Sequence, residues 1–346
     1  VFSGALKKPE NFNEFDYISH LRGKNIFAVS SFPAAEKIGE GKANPVRMRL
    51  SYIKYAFEEK IHMLFAEPYG ALLEGLLLGE RARLPEDVLI TLQQTGTTHI
   101  VALSGYNITL VGAFMLSFLL RLTLPFRAAF WISCILIALF VLMTGAQASV
   151  VRAGIMGVLV LIAQNEGRMY HMANALVFAA SAMIMHNPFI LRFDIGFQLS
   201  FLATCGMVYL PFRIEPYIMR LKSFLQFKKT ETNVLSRPTD AKTFLETVEK
   251  TFIETISAQI FVLPLLIYTF GSFSIVSIVA NIAVLAAVPY AMGLGFMVSV
   301  LGFFFLPLAR VIAWGAWFFL FYIITMIEWF SRVPFASVSV DFVPWY

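Results

Sequence analysis

Apolar residues fill most of this chain in blocks of about twenty, separated by short polar turns. A helix that crosses a bilayer needs roughly 20 such residues. The windows that meet or approach this length are 98–120, 128–146, 147–164, 172–187, 195–212, 252–270, 273–289, 289–306 and 309–330. They predict an all-α polytopic membrane protein with about eight to nine transmembrane helices, depending on whether 273–306 crosses once or twice. Ahead of them, Val46, Leu50, Ile53, Phe57, Ile61 and Leu64 recur at helical spacing, with Arg47, Arg49, Lys54, Glu58 and Glu59 mainly on other faces. That pattern predicts an amphipathic helix over 46–65, lying in the interface or packed on the bundle. The apolar run Ala71–Leu78 is too short to span, and a polar turn follows it at 79–84. Pro85, Glu86 and Asp87 then form a good helix start, and that helix should stop at Gly96. Residues 68–96 therefore read as two short interfacial or re-entrant helices. The polar segment 1–43 suggests a short helix at 13–22 and a strand at 25–30, too little for a core of its own. The expected organisation is 1–43, then 44–97, then a membrane domain over 98–346.

Composition strengthens this reading. The chain is 58% hydrophobic and 14% charged, with a mean hydropathy of +0.72, whereas soluble domains carry about 25% charged residues. Residues 1–97 balance 12 Lys and Arg against 12 Asp and Glu, so the net charge of +5 belongs to the remainder. Eight basic residues fall in the long loop 213–250, among them Arg220, Lys222, Lys228, Lys229 and Arg237. Loops rich in Lys and Arg stay in the cytoplasm. Loops assigned to the same side as 213–250 bring the positive count to eleven, against one on the other side. The N-terminal segment should then lie outside the cytoplasm. The opening Val1-Phe2-Ser3-Gly4 has neither the basic start nor the apolar core of a signal peptide, and suggests a chain whose earlier part is absent.

Polar side chains inside the apolar blocks are the candidate functional residues, because each is costly in hydrocarbon unless it meets a partner or water. Ser104 and Asn107 share a face of the first span, with His99 near its outer end. They either line a hydrophilic path or bond a neighbouring helix. Gln147 and Arg152 open the third span. A buried guanidinium there needs a carboxylate, a phosphate or water, and either Asp194, Glu254 or Glu328 or a phosphate group would serve. Asp194 and Gln198 lie at i and i+4 on the fifth span, with Asp194 a cap or ion-pair partner at the boundary and Ser200 just beyond. Thr251, Thr255 and Gln259 form a polar stripe ahead of Pro264, which should kink the helix. Asn281, Pro289, Gly293 and Gly295 mark a broken or re-entrant region.

Catalytic chemistry is not legible. The five histidines are scattered without metal-ligand spacing, and Cys134 and Cys205 form no CxxC pair. GxSxG and P-loop motifs are absent. The expectation is a non-enzymatic protein with no cofactor and no metal.

Three ordered blocks carry a family resemblance. The first is Leu76-Leu77-Leu78-Gly79-Glu80-Arg81, Leu84-Pro85-Glu86 and Thr95-Gly96-Thr97-Thr98-His99-Ile100-Val101-Ala102-Leu103-Ser104-Gly105. The second is Val151-Arg152-Ala153-Gly154-Ile155-Met156. The third is Asn187-Pro188 with Asp194-Ile195-Gly196-Phe197-Gln198-Leu199-Ser200-Phe201-Leu202-Ala203. Together they resemble the competence domain of the ComEC family of bacterial DNA-uptake channel proteins, over about 70–330. Residues 1–43 look like the tail of that family's OB-fold segment. The resemblance implies a channel that passes one strand of transforming DNA across the cytoplasmic membrane. His99, Ser104, Asn107, Gln147, Arg152, Asp194, Gln198, Ser200, Gln259 and Asn281 would be path residues, and loop 213–250 would attract phosphate or simply set topology. Expected partners are single-stranded DNA, the lipid bilayer, a periplasmic or surface DNA receptor and a cytoplasmic DNA translocase. Many members carry a metallo-β-lactamase-like nuclease domain whose motif is not found here, so a nuclease would come from an absent portion or another protein. The alternative is a permease for a small hydrophilic solute.

Overall fold

A computed structural model describes residues 2–3, 8–9, 18, 21, 26, 28–30, 34–35, 44–101, 105–213, 216, 220, 240–333 and 337–339. The helix expected at 13–22 falls largely outside them, as does most of the proposed OB-fold tail; of the strand expected at 25–30, residues 26 and 28–30 are described, and among them only Val29 forms a β-bridge. Of that region, β1 (Phe2–Ser3) pairs antiparallel with β2 (Ala34–Ala35).

The described chain is helical almost throughout. In order come α1 (Pro45–Leu64), α2 (Tyr69–Leu78), α3 (Glu86–Gln94), α4 (Thr98–Val101), α5 (Gly105–Arg121), α6 (Phe126–Met143), α7 (Ala148–Asn165), α8 (Met172–His186), α9 (Ile190–Phe193) and α10 (Ile195–Tyr209). They are followed by α11 (Asp240–Phe270), β3 (Ser272–Ser274), α12 (Ser277–Leu285), α13 (Val288–Phe304), α14 (Leu306–Ser331) and β4 (Ser337–Ser339). The all-α polytopic reading holds, and this is a multi-pass membrane protein.

The described residues account for part of the expected span count. Among the described residues five helices are long and apolar enough to cross a membrane, and a sixth follows if α12 and α13 count as one span bent by 42°. The windows at 98–120 and 172–187 do hold helices, but α5 has 17 residues and α8 has 15. The loop expected over 213–250 also ends early, because α11 already begins at Asp240 and runs 31 residues through Pro264.

Local chemistry sets several helix starts. Pro85 precedes α3, whose first turn holds Glu86 and Asp87 beside the positive end of the helix dipole. Proline also falls in the first turn of α13 and α14, where its missing N–H is not needed. Asp194 Oδ1 accepts the Phe197 N–H at 2.8 Å, capping α10.

The chain divides into two compact units, residues 1–56 with 108–200, and residues 57–107 with 201–346. In the first, α6 packs on α7 and α7 on α8 around Ala129, Phe130, Ile137, Val150 and Ala179. A side chain at Gly112 of α5 would press on Ile137 of α6 at 3.2 Å, so a small residue there lets the two helices approach. In the second, α13 lies along α14, and both pack on α2 around fully buried Leu72, Leu73, Leu76, Met292, Leu320 and Ile323. The β3 strand pairs antiparallel with β4, a two-strand clip that the hydropathy pattern does not indicate. The outer faces carry Trp131, Phe178, Val311, Trp314 and Phe318, each more than half exposed, the apolar exterior expected of helices in lipid.

Candidate functional site

The path residues are divided between the two units. His99, Asn107, Gln259 and Asn281 belong to the second unit, and Gln147, Arg152, Asp194, Gln198 and Ser200 to the first. Ser104, Lys222, Lys228, Lys229 and Arg237 lie outside the described residues, while Arg220 is described and exposed.

In the second unit a polar seam joins three elements. Gln259 Nε2 of α11 donates to Ser277 Oγ of α12 at 2.7 Å. The turn between α3 and α4 packs on the same serine. Gly96 holds φ +68 there, and a Cβ at that position would come within 2.7 Å of the Ser277 Cβ. Only glycine satisfies both the left-handed backbone and this approach. Thr95 and Thr97, both fully buried, hydrogen-bond each other at 2.8 Å. His99 Nδ1 lies 3.1 Å from the Gly96 carbonyl, with its ring exposed. One helical turn beyond Ser277, Asn281 shares its face of α12. Asn281 is 3% exposed and its Oδ1 has no hydrogen-bond partner among the described residues. Ser257 Oγ on α11 is in the same state. Asn107 is anchored instead, with Nδ2 donating to the Leu76 carbonyl at 3.3 Å.

The first unit holds Arg152 on α7, at 8% exposure. Its Nη1 reaches Met156 Sδ at 3.8 Å. Its charge is also felt in the loop after α7, where burial pushes the Tyr170 phenol above its ordinary value and Arg152 pulls it back. The other polar residues of this unit serve helix ends. Asp194 caps α10, and Gln198 Nε2 donates to the Leu191 and Arg192 carbonyls at 2.9 and 3.1 Å. Gln147 is exposed just before α7, and Ser200 is half-buried.

Sequence reasoning missed a charged cluster in the second unit. His62 of α1 places Nδ1 2.8 Å from Glu67 and Nε2 2.7 Å from Glu74. Glu67 also accepts the Ala71 N–H at 3.1 Å, capping α2. Glu74 is 1% exposed, and its second oxygen, Oε1, has no hydrogen-bond partner among the described residues. Each nitrogen–oxygen contact requires one proton. The cluster is therefore either an imidazolium between two carboxylates or a neutral imidazole with one carboxylic acid. Burial raises the Glu74 carboxyl above its ordinary range, while the His62 hydrogen bond opposes that shift. The available signal was Glu74 itself, an acid inside the apolar run 71–78. Among the described residues no group of three or more His, Cys, Asp or Glu could hold a metal ion.

Comparison with known proteins places these features. The Competence protein family matches residues 76–346, which take in the seam, Arg152 and all five full-length spans. ComE operon protein 3 of Bacillus subtilis (strain 168) is 24% identical over 345 residues, covering 98% of this chain. The chain spans 39% of that relative's length. No solved structure matches. With the family matched over most of its length and across every membrane-spanning helix, the chain belongs to the ComEC family of competence proteins.

Proposed function

We propose that this chain forms the route by which a single strand of DNA crosses the bacterial cytoplasmic membrane during natural competence. The observation that carries the reading is Asn281 on the polar seam, an amide oxygen held in an apolar helix without a hydrogen-bond partner among the described residues. A group in that state costs about 1–3 kcal/mol. A fold with no use for it would place a leucine there. A hydrophilic cargo or its water supplies the missing donor. Arg152 adds a buried cation able to hold phosphate by paired hydrogen bonds, and membership of the competence family supports DNA as the cargo.

The N-terminal segment lies outside the cytoplasm in this reading, and the basic stretch around Arg220 lies inside, where it attracts the emerging phosphates. No P-loop is present in the sequence, so a cytoplasmic DNA translocase drives the movement. A receptor delivers the DNA outside, and a nuclease elsewhere degrades the second strand. The chain itself carries out no covalent chemistry.

Asn281→Leu tests the seam. It removes an unsatisfied polar group and so leaves thermal stability unchanged or higher, while DNA uptake in a transformable host falls at least tenfold. Normal uptake with raised stability would make Asn281 a packing defect and remove the main support for the path.

A further inference from the structure

The N-terminal half of α1 has a second face that the helix bundle does not use. Leu50 and Ile61 are buried at 8% and 0%. On the opposite side Met48, Tyr52, Tyr55, Glu59 and Met63 recur at i, i+4, i+7, i+11 and i+15, which is one stripe of an α-helix. Tyr52 is 74% exposed and Tyr55 60%. Arg49 is exposed one turn before Tyr52 and Arg47 is exposed in the first turn of the helix, and residues 45–57 include three basic residues and no acid. Exposed tyrosine rings flanked by arginine are unusual for a surface with no partner.

We infer that the first three turns of α1 are a docking strip for single-stranded DNA, with Tyr52 and Tyr55 stacking on bases and Arg47 and Arg49 contacting phosphates. The inference rests on the DNA-passage reading and adds a place where the strand is held. Tyr52 and Tyr55 are separated by about 4.5 Å along the helix axis, which suits two neighbouring bases. Base–aromatic stacking combined with a basic track is the general means of binding single strands without sequence preference. An anionic lipid surface would also attract the arginines. Glu59, however, is exposed within the same stripe, one turn beyond Tyr55, and a helix sunk in lipid would drive that carboxylate into the acyl boundary. On a nucleic acid the same residue marks where the strip ends.

The test uses the full chain in discs of zwitterionic lipid and a fluorescent oligothymidine, with affinity measured across a salt series. Arg47→Gln/Arg49→Gln should weaken binding and lower the slope of log affinity against log salt by about 1.4. Tyr52→Ala/Tyr55→Ala should weaken it tenfold or more, and Tyr52→Phe/Tyr55→Phe should restore it, because stacking needs the ring and not the hydroxyl. That rescue separates contact with DNA from damage to the fold. Unchanged affinity and slope in the arginine and alanine variants would overturn the inference, as would absence of binding by the unaltered chain. So would variants that lose affinity for anionic phosphatidylglycerol vesicles while binding DNA normally, since α1 would then be a lipid-surface helix. None of these results alters the Asn281→Leu uptake experiment, so the docking strip can fail while the passage reading stands.

Discussion

His62→Ala is expected to lower the stability of the detergent-solubilised protein by about 3 kcal/mol or more. The substitution leaves Glu74 with neither of its oxygens partnered by histidine, at 1% exposure. A carboxyl group in that position has lost the His62 hydrogen bond that offset its burial. Glu67, at 48% side-chain exposure, can turn to water and loses much less. The asymmetry gives a second, sharper expectation. Glu74→Met alone should cost much less, because His62, at 21% side-chain exposure, keeps Glu67 and can turn its other nitrogen to water. The double variant His62→Ala/Glu74→Met should recover most of the stability lost by His62→Ala. Thermal unfolding midpoints of the four proteins check this. A double variant as unstable as His62→Ala would mean that histidine packing, and not the stranded carboxylate, dominates.

Arg152→Glu should reduce DNA uptake more than a hundredfold while the protein remains in the membrane at normal abundance. In the passage reading the charge that would hold phosphate is inverted, and the new carboxylate would repel each passing nucleotide. Arg152→Lys keeps the charge but loses the planar fork, so an intermediate loss of about tenfold is expected. Uptake and immunoblots of the membrane fraction are measured on the same cells. The decisive alternative is an ion pair that serves only the fold. In that case Arg152→Glu would remove the protein itself, and Arg152→Lys would restore abundance and uptake together.

Much of the architecture was readable from hydropathy, since a bilayer forces long apolar helices onto any chain that crosses it. The membrane class, the start of α3 at Pro85, its stop at Gly96 and the break near 286 all follow from local rules. The larger expected count includes windows whose described helices are short, such as α8 with 15 residues. The site was less legible for a different reason. Polar residues near helix ends look like path residues in a sequence, yet Asp194 and Gln198 are occupied with backbone groups of α9 and α10. Their i, i+4 spacing correctly put them on one face but could not show what that face meets. The His62 cluster joins residues 12 apart across a turn, a separation no helical periodicity reveals. Gln259 and Ser277 meet for a similar reason, through the reversal at β3 between α11 and α12.

The central claim is passage of DNA, and fluorescent DNA in a transformable host lacking this gene tests it most directly. Capture of DNA at the outer surface must remain intact in that host. The account predicts captured DNA that fails to reach the cytoplasm, with arrival restored when the chain is re-expressed together with whatever flanks it in its natural protein. Undiminished arrival of DNA in the cytoplasm of the deleted strain would contradict it, and a small-solute permease would then be the better account of the polar seam.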